Sequence, residues 1–175
     1  MHASQYKKIG SKVVYKGYRS VLRTTFIMPD NNRYEYDIFQ YADSVSVLLT
    51  NEENHILLIK QFRPGPEKII YELPGGTVEP ELTPLANAKK ELFEETGYKA
   101  KNYKLLNTFY KDAYSENVHY LYECNTPEFV EHRNGDETEW IESGFYTLKQ
   151  VETFHKAGKL EATLGLLLTG KHFLK

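Results

Sequence analysis

Three glutamates, Glu91, Glu94 and Glu95, stand at spacings i, i+3 and i+4. On a helix, where each residue turns about 100°, they fall within roughly a third of the circumference. Like charges so placed repel by a few tenths of a kcal/mol per pair. Such a face is either a solvated charged stripe or the seat of a hard cation such as Mg²⁺, which takes carboxylate oxygens and keeps several waters. His55, His119, His132 and His155 have no metal-ligand spacing and read as structural or surface residues, with His119 packed inside a strand.

The glutamates need a helix with a start and a stop. Thr83 suits an N-cap, Pro84 the first helical position, and Gly97 the far end. Leu85, Ala88, Leu92 and Thr96 occupy the neighbouring arc and pack inward. Strands are expected on both sides of this helix, since Val, Ile, Thr and Tyr recur in short runs. Upstream they are Lys12 to Tyr18, Ser20 to Met28, Tyr34 to Tyr41, Ser44 to Thr50, His55 to Gln61 and Ile69 to Leu73. Downstream they are Tyr103 to Tyr110, Val118 to Cys124 and Glu139 to Thr147. Pro29 to Asn32 is a hairpin turn signal, and residues 1–12 read as a polar lead-in. Thr147 to Gln150 is a capping-box pattern opening a helix that Gly158 closes. Glu161 to Leu168 reads as a final helix. This order suggests a mixed sheet between helices.

The 175 residues suffice for one domain with a buried core. A net charge of -2 gives no reason to expect nucleic acid or an anionic membrane as the main partner. Cys124 is the single cysteine, so no intrachain disulfide forms, which suits a reducing cytoplasm. The N-terminus lacks an apolar core of signal-peptide length, and Leu164 to Leu168 is too short to span a bilayer. With 14 Tyr and 9 Phe, aromatics are plentiful. Tyr6, Tyr18 and Phe39 read as core residues before base-stacking ones.

The stretch from Gly76 to Tyr98 resembles the Nudix box, G-x5-E-x7-R-E-U-x-E-E-x-G-U, where U is apolar. Gly76 opens it, and Glu91-Leu92-Phe93-Glu94-Glu95-Thr96-Gly97-Tyr98 matches its second half. The first box glutamate falls on Leu82 and the box arginine on Lys90. In the family those two positions commonly form a salt bridge between loop and helix, and Glu81 is the candidate substitute here. QFRPG at 61–65 and YELPGG at 71–76 resemble the ADP-ribose and nucleoside-diphosphate-sugar pyrophosphatase branch.

The resemblance implies an α/β (α+β) fold, a Nudix-type α/β/α sandwich with a mixed sheet and an N-terminal antiparallel strand extension. It implies a Nudix domain over 44–175 and a strand segment over 1–43 that builds a homodimer, whose partner chain helps hold the nucleobase. It implies Mg²⁺-dependent hydrolysis, with Mn²⁺ as an alternative, of the diphosphate bond in a small-molecule nucleotide sugar. Gly75 through its carbonyl, Glu91 and Glu95 would then ligate metal, with Glu94 in the inner or second shell. Arg63, whose planar fork suits phosphate oxygens, and Glu72 would stand at the substrate's diphosphate; a surface salt bridge is the alternative for Arg63, and a place in the metal shell or a cap on the loop the alternative for Glu72. A late-loop acid would act as base: Glu139, with Glu137 as runner-up and Glu116 third. Lys111-Asp112-Ala113-Tyr114 departs from the Ser-Pro-Gly-like turn of that branch, which leaves the substrate open. A non-catalytic nucleotide-sugar sensor, or an enzyme acting on a free nucleotide, a dinucleoside polyphosphate or a capped RNA, stands as the alternative.

Overall fold

A computed structural model describes residues 2–131 and 140–173. The chain divides into two compact units: Met1–Asp43 with Thr108–His119, and Ser44–Asn107 with Tyr120–Lys175.

The first unit is built on an antiparallel meander of β1 (Lys7–Lys16), β2 (Ser20–Ile27) and β3 (Arg33–Gln40). The expected turn joins β2 to β3. Asn31 takes a left-handed φ of 63°, its N–H donates to Met28 O at 2.8 Å, and the Asn32 N–H donates to Asp30 Oδ1 at 2.9 Å. β1 begins at Lys7, inside the stretch expected to be a polar lead-in. All ten of its residues are exposed. Its strand character comes from backbone pairing with β2, so no apolar alternation marks it. Tyr18, expected in the core, is 99% exposed in the β1–β2 turn, and Phe39 is 42% exposed. Phe39 stacks on Tyr41 with ring centroids 5.7 Å apart.

The second unit carries the core. Its strands are β4 (Ser44–Leu49), β5 (Ile56–Arg63), β6 (Lys68–Glu72) and β9 (Glu142–Tyr146), with most of β7 (Tyr98–Tyr110) and β8 (Val118–Phe129). They order as β4-β8-β7 and β6-β5-β9. β5 pairs antiparallel with both β6 and β9, and a parallel bridge joins Tyr71 to Leu160, so pairing is mixed. β5 runs two residues past the expected end because Arg63 still pairs with Lys68 across the Pro-Gly-Pro turn. Helix α1 (Pro84–Thr96) packs on β4 and β9. Val45, Val47, Leu49, Leu57, Ala88, Leu92, Tyr122 and Cys124 form one buried cluster. Each large apolar side chain sealed there contributes about 1.5–3 kcal/mol, which explains why β4 reads as a nearly continuous apolar run, with Ser46 between Val45 and Val47.

Helix α2 (Leu148–Lys156) opens on the expected Thr147–Gln150 capping box. Helix α3 (Ala162–Phe173) follows. Between them the chain covers the outer edge of β6: the Tyr71 N–H donates to Lys159 O at 2.8 Å, and the Glu161 N–H to Tyr71 O at 3.0 Å. Among the described residues no helix is long and apolar enough to cross a membrane.

Candidate functional site

α1 forms where its caps require. Thr83 Oγ1 accepts the Ala86 N–H at 3.2 Å, Pro84 takes a first-turn position where the missing N–H costs nothing, and Gly97 closes the helix at φ 73°. A Cβ on Gly97 would collide with the Glu131 carbonyl, so glycine is required there for space as well as for φ.

The Pro74-Gly75-Gly76 bend lies along β4. Val47 N–H donates to Pro74 O at 2.8 Å and Val45 N–H to Gly76 O at 2.9 Å. The intervening Gly75 N–H donates to Glu95 Oε2 at 2.7 Å. A Cβ on Gly75 would strike the Val45 carbonyl oxygen, and one on Gly76 would stand 2.6 Å from Glu91 Oε1. Two glycines therefore let the bend press against two of the three helix glutamates.

The rest of the loop is tied down by side chains of α1. Lys90 Nζ lies 2.8 Å from Glu79 Oε1 and 2.6 Å from Glu94 Oε2. The acid that meets Lys90 is thus Glu79, not Glu81. The cause is the loop's path: the Glu79 N–H donates to Asn87 Oδ1 at 3.1 Å, which fixes residue 79 against the helix. Asn87 Nδ2 donates in turn to Thr77 O at 3.1 Å and to Glu91 Oε1 at 3.3 Å. Neither Asn87 nor Glu79 was singled out from the sequence. The available signal was a polar residue on the inward arc beside Ala88, one turn before Glu91.

Burial pushes the Glu91 carboxyl above its ordinary value, and the Glu94 and Glu79 carboxylates add to the rise; Lys90 and the Asn87 hydrogen bond pull the other way. Hydrogen bonds to Glu79 and then Glu94 hold the Lys90 ammonium further above its usual range. A carboxylate strained in this sense gains most from a nearby cation.

Arg63 and Glu72, singled out separately, form one unit. Arg63 Nε meets Glu72 Oε1 and Nη2 meets Oε2, both at 2.6 Å. Glu72 is two residues before the bend, so the pair is anchored to the loop that carries Gly75. Glu116 belongs to the first unit and pairs with Lys8 at 3.3 Å. Glu139, Glu137 and His132 lie outside the described residues. His119 is fully buried, as a packed strand residue should be.

Among the described residues, no three of His, Cys, Asp and Glu are gathered closely enough to cage a metal ion by themselves. The donors that adjoin the glycine bend, Glu91 and Glu95, are hard oxygen ligands. They suit a divalent ion that keeps part of its water shell, and the raised Glu91 carboxyl fits that partner.

The NUDIX domain model matches residues 40–164, a span that contains Arg63, Glu72, Gly75, Glu91, Glu94, Glu95 and Glu139. An ADP-ribose pyrophosphatase of Bacillus subtilis (strain 168) is 32% identical over 126 residues, covering 71% of this chain and 68% of that protein. A methanol dehydrogenase activator of Bacillus methanolicus is 27% identical over 135 residues, covering 76% and 73%. A solved structure titled as an ADP compounds hydrolase superposes with a TM-score of 0.75 at 16% identity, covering 95% of this chain and 93% of that one. At that identity the superposition speaks for the fold.

Proposed function

The chain belongs to the Nudix family of pyrophosphohydrolases, and from that premise we propose that it hydrolyses the diphosphate bond of a nucleoside diphosphate sugar, ADP-ribose or an NDP-hexose, with Mg²⁺ or Mn²⁺ as cofactor. The observation that carries this reading is the joining of the glycine bend to the helix carboxylates, through Gly75 N–H and Glu95 and through the close approach of Gly76 to Glu91. The match to a pyrophosphatase named for ADP-ribose supports the choice of substrate class.

Glu91, Glu95 and the Gly75 carbonyl would hold the ion. A bound divalent ion neutralises diphosphate charge and lowers the pKa of a ligated water. Glu94, tied to Lys90 at 2.6 Å, orients the charge around that set. Arg63, its guanidinium plane set by Glu72, binds diphosphate oxygens in a fork. Glu139, the first of the loop acids ahead of Glu137 and Glu116, takes the proton of the attacking water. Water adds across one P–O bond of the bridge, so the products are a nucleoside monophosphate and a sugar phosphate. Reaction of this kind depends mainly on positioning and charge stabilisation.

We further assign a homodimer built through residues 1–43 and a cytoplasmic location, neither nucleic acid nor membrane being the partner. Scattering-coupled size exclusion tests the dimer.

The deciding experiment incubates the protein with Mg²⁺ or Mn²⁺ and a panel of nucleotide sugars, free nucleotides and dinucleoside polyphosphates. Phosphate released by an added phosphatase is scored and products are identified by chromatography. AMP and ribose 5-phosphate from ADP-ribose, or the matching pair from an NDP-hexose, are expected. Tight calorimetric binding of ADP-ribose with no product over long incubation would replace the enzyme by a sensor.

A further inference from the structure

We propose that Asn87 is a positioning residue for the Glu91 carboxylate, a single buried amide that sets the register between the glycine loop and the metal face of α1. The inference rests on the reading of Glu91 as a metal ligand given above.

Asn87 is fully buried. A buried amide is costly wherever its polar atoms lack partners, so its contacts are decisive. Oδ1 accepts the Glu79 N–H at 3.1 Å. Nδ2 donates one hydrogen to Thr77 O at 3.1 Å and the other to Glu91 Oε1 at 3.3 Å. These partners fix which end of the amide is oxygen, since a backbone N–H needs an acceptor and a carbonyl and a carboxylate need donors. Two bonds hold the loop and the third holds Glu91, all from one side chain on a rigid helix.

The charged tie between Glu79 and Lys90 runs in parallel, but its side chains are 48% and 39% exposed. Water weakens it, whereas Asn87 is dry. Residues that orient a metal ligand from behind are typically worth about 10–100-fold in metal affinity or activity. Asn87 occupies that place here: it contacts the carboxylate rather than the ion.

The test is Mn²⁺ binding to the full chain, followed by the loss of the free-ion EPR signal at a temperature where circular dichroism shows each variant folded. Asn87→Ala is expected to weaken Mn²⁺ binding by about tenfold or more while the fold persists. Asn87→Ser, too short to reach both loop and Glu91, is expected to do the same and stands in if the alanine variant does not fold. Glu91→Gln provides the reference. If Glu91→Gln loses affinity while a folded Asn87 variant binds Mn²⁺ like the wild type, the positioning role is overturned and the metal reading stands. If Glu91→Gln itself binds like the wild type, the metal reading falls and takes this inference with it.

Discussion

Arg63 and Glu72 lock together through two parallel hydrogen bonds of 2.6 Å. The Glu72 side chain is only 9% exposed and the Arg63 side chain 42%, so the acid is the fixed member and the arginine is the one it aims. Arg63→Lys keeps the charge and loses the fork. Hydrogen bonds to charged groups contribute about 1.5–3 kcal/mol, so kcat/KM for a diphosphate substrate should fall by roughly tenfold or more. Glu72→Ala should lower kcat/KM in the same direction and also lower Tm by several degrees, as the loss of a buried partner at about 1–3 kcal/mol requires. An Arg63→Lys enzyme with wild-type kcat/KM would remove Arg63 from the diphosphate site.

The Glu79–Lys90 contact is predicted to be a modest brace. Both side chains are more than a third exposed, so screening limits the pair to about 0.2–1 kcal/mol. A double-mutant cycle of Glu79→Gln and Lys90→Met, read from urea midpoints, should return a coupling of that size that shrinks in high salt. The same cycle run with Glu81→Gln should return none. Coupling to Glu81 instead would mean that the loop follows a different path.

Helix α1 was legible in the sequence because its signals are local. Thr83, Pro84 and Gly97 act within a turn of themselves, and the carboxylate spacing is a property of the helix alone. Glu79 was not legible, because its meeting with Lys90 depends on the course of a loop that Asn87 and the two glycines hold in place. Arg63 and Glu72 were both found, but their union depends on the β5–β6 pairing, with Ile59 opposite Glu72 and Arg63 opposite Lys68. β1 was half missed because a fully exposed strand carries no face to read. The same reason explains Tyr18 and Phe39: an aromatic residue announces burial only when its neighbours show which face is wet.

The two glycines of the bend should fail in different ways. At Gly75 a methyl group meets the Val45 carbonyl, which belongs to β4 and cannot give way without disturbing the core. At Gly76 it meets the end of the Glu91 side chain at 2.6 Å, which can swing aside. Gly75→Ala is therefore expected to lower Tm sharply. Gly76→Ala is expected to keep a near-native Tm and lose most of its activity by displacing Glu91. Full activity in folded Gly76→Ala would argue that the Glu91 carboxylate need not occupy its present place.

His119 supplies a pH dependence of stability whose sign is fixed. Its side chain is fully buried in β8, with the Phe109 ring centred 4.9 Å away. Burial, and then the positive charge of Lys111, push its pKa down from 6.5 to about 3. The folded state thus holds fewer protons on this residue than the unfolded state between those values. Its contribution is complete above pH 6.5 and is lost progressively as the pH falls toward 3. Within that window each pH unit removes up to about 1.4 kcal/mol. Urea midpoints measured from pH 7 to pH 4 should fall steeply for the wild type and less steeply for His119→Leu, whatever the absolute stability of the variant. Parallel pH slopes in the two proteins would show that His119 is protonated without cost, and so that it is not sealed from water in the folded chain.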